Sequence, residues 1–169
     1  MRFAAVADGG DDSLARIEPA DVWPTRFVDL YRGSYAPMVR LAHLLTAADP
    51  AAEELVQDAF LRVQSRWDRI DNPLAYLRAA VVNACRNHQR RRVLERRHRA
   101  VVVGPAEDAP DELRDAITAL PTRQRAAIVL RYYEDLAEVD IADLLGCSVP
   151  AVKSLLHRAV QDLRKVIER

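Results

Sequence analysis

The sequence predicts an all-α fold of two small helical domains joined by a flexible linker, and three observations carry that prediction. Half of the residues are hydrophobic while only 6% are aromatic and glycine is scarce, a composition rich in the Ala, Leu, Glu and Arg that helices favour. Apolar residues then recur at steps of three and four through most of the chain, the period of a helix buried on one side. Finally, "VVVGPAEDAPDE" breaks the pattern near the middle with Gly104, Pro105, Pro110 and a run of acids, as a linker does.

Each element follows from local chemistry. "MRFAAVADGGDDSLARIEPAD" has neither a basic start nor a long apolar core, so residues 1–24 read as a disordered acidic extension and not as a targeting segment. A first helix is signalled by Phe27, Leu30, Tyr31, Met38, Leu41, Ala42 and Leu45, with Gly33 and Pro37 weakening its early turns. It stops at "TAADP", where Asp49 suits an N-cap and Pro50 the first helical position, and Glu53 and Glu54 fall where the helix dipole favours negative charge. The second helix would bury Ala52, Leu55, Val56, Ala59, Phe60 and Val63, leaving Glu54, Gln57, Asp58, Leu61 and Arg62 outward.

"SRWDRIDNP" reads as a short loop holding Trp67, after which Asn72 and Pro73 start a third helix by the same cap-and-proline signal. That helix carries two stripes. Leu74, Leu77, Val81, Ala84, Cys85 and His88 form an apolar one; Tyr76, Ala80, Asn83, Asn87 and Arg90 form another, with an aromatic ring, two amides and a guanidinium. Beyond the linker come a helix from about Glu112 to Ala119, one opened by "LPTRQR" with Ala126, Val129, Leu130 and Tyr133 inward, and a final pair. No internal repeat is present.

The final pair, "LAEVDIADLLGCSVPAVKSLLHRAVQDLRKVIE", has the order of a helix-turn-helix: a short helix, Gly146 at the turn, and a longer helix capped by Ser148. The longer helix would bury Val152, Leu155, Leu156, Ala159, Val160 and Leu163. It offers Ser148, Ala151, Lys153, Ser154, His157 and Arg158 on its other face, suited to base edges and phosphates in a major groove. A plain helical hairpin with a solvated basic face would look similar.

Lysine plus arginine equals aspartate plus glutamate at 25 each, but the charges are segregated. In "NACRNHQRRRVLERRHR", Arg86, Arg90, Arg91, Arg92, Arg96, Arg97 and Arg99 stand against Glu95 alone. Basic residues at a helix C-terminus complement its dipole, yet seven exceed that role and suit phosphate neutralisation. Trp67 and Tyr76 beside them make the mixture that holds unstacked bases, although a lone Trp also serves as a core or hinge residue.

No catalytic, metal or cofactor site emerges: His43, His88, His98 and His157 are scattered, and no glycine-rich phosphate loop exists. Cys85 and Cys147 form no CxxC pair and no apolar run is long enough to insert in a membrane, which together suggest a cytoplasmic protein.

Taken in order, "AEELVQDAFLRV", "NPLAYLRAAVVNACRNHQRRR" and "LPTRQRAAIVLRYYEDLAEVDIADLLGCSVPAVKSLLHRA" resemble the extracytoplasmic-function group of bacterial sigma factors, from about Phe27 to Arg164. The resemblance implies a non-enzymatic subunit that directs RNA polymerase core to promoters, with a region 2 domain at 25–95, a linker at 96–111 and a region 4 domain at 112–169. It implies that Glu54, Gln57, Asp58, Phe60 and Leu61 dock on the clamp of the largest polymerase subunit, with the flap of the second-largest subunit as a further contact. Trp67, Tyr76, Asn83, Arg86, Asn87, Arg90 and Arg91 would open and read the minus-ten element, partly as single strands. Ser148, Ala151, Lys153, Ser154, His157 and Arg158 would read the double-stranded minus-thirty-five element. An anti-sigma factor is the further partner implied.

Some positions depart from the group's pattern. An acid is common where Asn87 stands, Thr at Ala151, Arg at Leu155, and a Ser or Thr cap at Ala137. The competing readings are a helix-turn-helix regulator acting without being a polymerase subunit, and a helical adaptor; both leave the set from Trp67 to Arg90 without a role.

Overall fold

The computed structural model describes residues 24–96 and 112–167. The expected acidic extension and linker lie almost wholly outside them. Within the described residues there are seven α-helices and one 3-10 turn, and no strand: α1 (Thr25–Thr46), α2 (Ala52–Gln64), the turn Trp67–Arg69, α3 (Pro73–Arg96), α4 (Glu112–Ala119), α5 (Thr122–Tyr132), α6 (Glu138–Leu145) and α7 (Val149–Ile167).

α1 runs unbroken through Pro37. The carbonyl that Pro37 leaves without a donor is that of Gly33, which is exposed and open to water, while Phe27, Met38, Leu41, Ala42 and Leu45 bury the helix on both sides of the interruption. The helix ends in two successive left-handed alanines, Ala47 (φ 58°) and Ala48 (φ 57°), a conformation costing about 1–2 kcal/mol per non-glycine residue. Backbone bonds to the His43 carbonyl hold them, that of Ala48 N at 2.8 Å, and Asp49 follows. Its Oδ1 accepts from Ala51 N at 3.0 Å, capping the turn into α2 one turn before the regular helix begins. The same buried carboxylate forms an ion pair with Arg92 and lies 3.1 Å from His88 Nε2, both on α3.

α2 buries Ala52, Val56, Ala59, Phe60 and Val63 as its sequence period requires. Phe60 sits in an aromatic nest, its ring centroid 4.9 Å from Tyr31 and 6.1 Å from Tyr35. Asn72 Oδ1 caps α3 through Ala75 N at 3.1 Å. Leu77, Val81, Val82 and Cys85 are buried on α3, whereas Leu74 is left 42% exposed because it lies in the first turn, beyond the edge of the bundle. α1, α2 and α3 pack mutually as one three-helix unit.

In the second unit α7 packs on α4, α5 and α6. α6 has Ala137 at its N-cap with no side-chain hydrogen bond, and ends at Gly146 (φ 59°), where Cys147 N reaches back to Ala142 O at 3.0 Å. Glycine suits this left-handed position because it has no Cβ to clash. Tyr133 departs from the inward position its period suggests: it lies one residue past the end of α5, is 43% exposed, and its hydroxyl accepts from Arg40 Nε at 3.2 Å.

The two units are docked. α1 packs against α4 and α5, and α3 touches α6, so the buried residues of both form one apolar cluster. At its centre is Arg125, 6% exposed, donating to the carbonyls of Leu45 (3.1 Å), Thr118 (2.7 Å) and Leu120 (3.1 Å). Burial lowers its pKa from the ordinary guanidinium value. These acceptors lie at or just beyond the C-terminal ends of α1 and α4, where the helix dipoles favour a cation.

Candidate nucleic-acid interface

Three surfaces hold the residues singled out by sequence. On α2, Glu54, Gln57, Asp58 and Leu61 are exposed, Leu61 to 58%, and form a mixed acidic and apolar strip. Phe60 does not belong to that strip: at 3% exposure it supports the helix from beneath.

The second surface begins with Trp67. Its indole packs edge-on against Phe27, ring centroids 5.4 Å apart, and stays partly open. Trp67, Asp68, Ile70, Asp71 and Asn72, with Arg26 from the start of α1, line a concavity of about 460 Å³. Tyr76 is half-buried and its hydroxyl accepts from Arg66 Nη1 at 2.7 Å. About two, three and four turns along α3, Asn83, Asn87 and Arg90 are exposed on the same side, followed by exposed Arg91. The amide-and-arginine stripe therefore faces outward, free to donate and accept.

The arginine run is not uniform. Arg92 is committed to Asp49. Arg86 donates to the carbonyl of Leu144, in the last turn of α6, at 2.6 Å, and its Nη1 is 3.5 Å from Asn83 Oδ1. Arg90 and Arg91 remain exposed. Side chains from Glu95 onward, and thus Arg96, Arg97 and Arg99, lie outside the described residues.

The third surface is α7. Its hydrophobic side, Val152, Leu156 and Ala159 with Leu155, Val160 and Leu163 less deeply set, packs inward. Ser148, Lys153, Ser154, His157 and Arg158 are exposed and Ala151 half-buried. Ser148 Oγ accepts weakly from Ala151 N at 3.4 Å, Ser154 Oγ donates to Pro150 O at 3.0 Å, and His157 Nε2 lies 2.9 Å from Gln161 Nε2. Lys153 meets Glu138 at 3.8 Å, a solvent-exposed pair that holds it only weakly.

Two cations were missed in the sequence. Arg123, in the first turn of α5, lines a concavity of about 370 Å³ with Cys147, Ala151, Ser154, Leu155 and Arg158. Arg26 faces the Trp67 concavity. Each belongs to a helix read only for its apolar stripe, and neither carries a local signal of its partner surface. No group of three metal-ligating side chains occurs among the described residues, and no described helix is long and apolar enough to cross a membrane.

A helical chain with an outward basic stripe and a turn-separated helix pair exposing polar and basic groups has surface features common in the class of nucleic-acid-binding proteins. Comparison with known proteins defines the class further: residues 30–94 match Sigma-70 region 2 and residues 111–163 match Sigma-70, region 4. The chain is 33% identical to the RNA polymerase sigma-E factor of Streptomyces avermitilis, covering 84% of this chain and 85% of that one. It is 30% identical to the ECF RNA polymerase sigma factor SigL of Mycobacterium tuberculosis, covering 82% and 87%. Among solved structures it is similar in fold to the sigma factor RpoE of Bartonella quintana, crystallised with the anti-sigma factor NepR, at TM-score 0.70 and 23% identity over 86% of this chain and 98% of that one. The chain belongs to the sigma-70 family, in its extracytoplasmic-function group.

Proposed function

We propose that this protein is a non-catalytic initiation factor: it joins RNA polymerase core, selects promoters and opens them, while the polymerase makes the RNA. The observation that carries the reading is that one chain holds both sigma-70 modules. In this reading the strip Glu54, Gln57, Asp58 and Leu61 docks on the polymerase clamp, with Phe60 holding it in shape. Region 4 meets the flap. Trp67, Tyr76, Asn83, Arg86, Asn87, Arg90 and Arg91 engage the minus-ten element, stacking and hydrogen-bonding bases taken out of the duplex. Ser148, Ala151, Lys153, Ser154, His157 and Arg158 read the minus-thirty-five element from the major groove, with Arg123 adding a phosphate contact.

The domain limits proposed are 25–95 and 112–169 around a linker at 96–111, after the extension at 1–24. The site is the cytoplasm, where two free cysteines are at home. An anti-sigma factor is the proposed regulator, supported by the sigma factor of similar fold that was crystallised with one.

Purified protein mixed with core polymerase and a genomic promoter library tests the proposal. The expected result is a stable complex with core and transcripts from a defined subset of promoters. Neither core binding nor specific transcripts would sink it.

A further inference from the structure

Arg66 has no role in the proposed function, yet it joins two residues that do. Its main chain closes the step from α2 into the 3-10 turn: the N–H donates to Val63 O at 3.2 Å and the carbonyl accepts from Arg69 N at 2.8 Å. The next residue is Trp67. From this fixed point the guanidinium crosses to the first turn of α3, where Nη1 donates to the Tyr76 hydroxyl at 2.7 Å. The same loop carries two carboxylates, Asp68 and Asp71, but among the described residues Arg66 forms an ion pair with neither. Its charge is directed at a neutral oxygen instead.

That bond decides what Tyr76 can offer. A phenol has one proton to donate and limited capacity to accept. With a guanidinium already on its oxygen, what remains to present is its own O–H, and a charged donor polarises that O–H into a stronger one. Tyr76 therefore suits an acceptor oxygen and is a poor partner for an exocyclic amino group, whose hydrogens would meet the phenolic proton. Tyr76 is also set back, half-buried against the core, whereas Arg66, Arg69, Arg90 and Arg91 are exposed. Projecting cations suit a phosphate backbone; a recessed hydroxyl suits an unstacked base.

We propose that Arg66 is a positioning residue that fixes the Tyr76 hydroxyl as a donor to a keto oxygen, thymine O4 or guanine O6, of an unpaired minus-ten base. The inference rests on the proposed function for the identity of the strand. It adds a preference for keto over amino bases at the position Tyr76 faces, and it makes Arg66 act through Tyr76 and not through a phosphate.

The test has two arms. In the free full-length chain labelled with carbon-13 at the tyrosine Cζ atoms, the Tyr76 resonance, assigned by its loss in Tyr76→Phe, should shift on Arg66→Met. Methionine keeps an apolar stem at this exposed position, so helicity by circular dichroism should stay as in wild type; Arg66→Gln takes its place should helicity fall. A resonance that does not move overturns the positioning. The second arm measures holoenzyme affinity for a promoter duplex from the transcribed subset, its minus-ten element held open by mismatches. Arg66→Met and Tyr76→Phe should each weaken binding several-fold, and the double variant should bind no worse than Tyr76→Phe alone. Replacing one keto base by its analogue without that oxygen, 5-methyl-2-pyrimidinone for thymine or 2-aminopurine for guanine, should weaken binding by wild type several-fold and leave that of Tyr76→Phe unchanged. Additive losses, a salt slope lowered by about one in Arg66→Met as direct phosphate contact would give, or equal sensitivity of both proteins to the analogues would overturn the proposal. Wild type that binds no promoter duplex contradicts the proposed function instead, and the resonance of the first arm still reports whether Arg66 sets Tyr76.

Discussion

Arg125 Nε donates to the Leu45 carbonyl at 3.1 Å, tying the second turn of α5 to the last full turn of α1. The guanidinium also satisfies Thr118 and Leu120, so it closes the turn between α4 and α5 from inside. Replacing it with methionine leaves the Thr118 and Leu120 carbonyls without this donor, and about 2–3 kcal/mol of stability should be lost. Lysine should not restore it, since a single ammonium cannot present the same fork. Urea denaturation of the three proteins is the measurement, and equal midpoints for lysine and wild type would contradict the assignment.

Ala137 holds the N-cap of α6 in extended geometry (φ −68°, ψ 152°) with no side-chain acceptor. A serine there can reach the free N–H groups of the first turn. Ala137→Ser is expected to raise stability by about 1 kcal/mol, seen as a higher thermal midpoint. A midpoint that falls would mean the cap geometry is not available to a hydroxyl.

Cys85 is 1% exposed, and burial pushes its thiol up to about 12. Its folded value lies above the unfolded one, so the unfolded chain ionises first. The contribution is fully present below about pH 9 and is lost as pH rises toward 12, with a limiting slope of about 1.4 kcal/mol per pH unit. Cys85→Ala should flatten that alkaline decline relative to wild type, after allowance for its own cavity. At neutral pH a soluble alkylating agent should modify half-buried Cys147 and spare Cys85; rapid loss of both thiols from the folded protein would argue against the burial.

Lys153 and Asn83 lie on different units and should fail differently. Lys153→Ala is expected to weaken binding to an upstream duplex several-fold and to lower the salt slope by about one. Asn83→Ala should leave that duplex affinity unchanged and slow promoter opening, followed by permanganate reactivity of unpaired thymines. Equal loss of both steps in both variants would contradict the division of labour.

Local chemistry made most elements legible. Asn72 with Pro73 marked the start of α3, and Gly146 marked the turn before α7, because caps and left-handed positions depend on one or two residues. Asp49 was legible as a cap but not as the carboxylate that claims Arg92. The arginine run looked like one basic patch, and only tertiary structure separates Arg92 and Arg86, which have partners, from exposed Arg90 and Arg91. Those partners are distant in sequence, Leu144 by 58 residues from Arg86, and a helical period carries no information about them. Phe60 shows the converse. Its period correctly placed it inside, whereas the family's docking segment, read as a whole, would have put it on the surface.

The Arg86–Leu144 bond also finishes a helix. The carbonyl of Leu144 lies at the C-terminal end of α6, where the helix supplies no partner of its own, so the guanidinium acts as a cap supplied from 58 residues away in sequence. A base edge or phosphate that takes Arg86 as its donor, as the proposed function requires, must therefore leave that helix end to water.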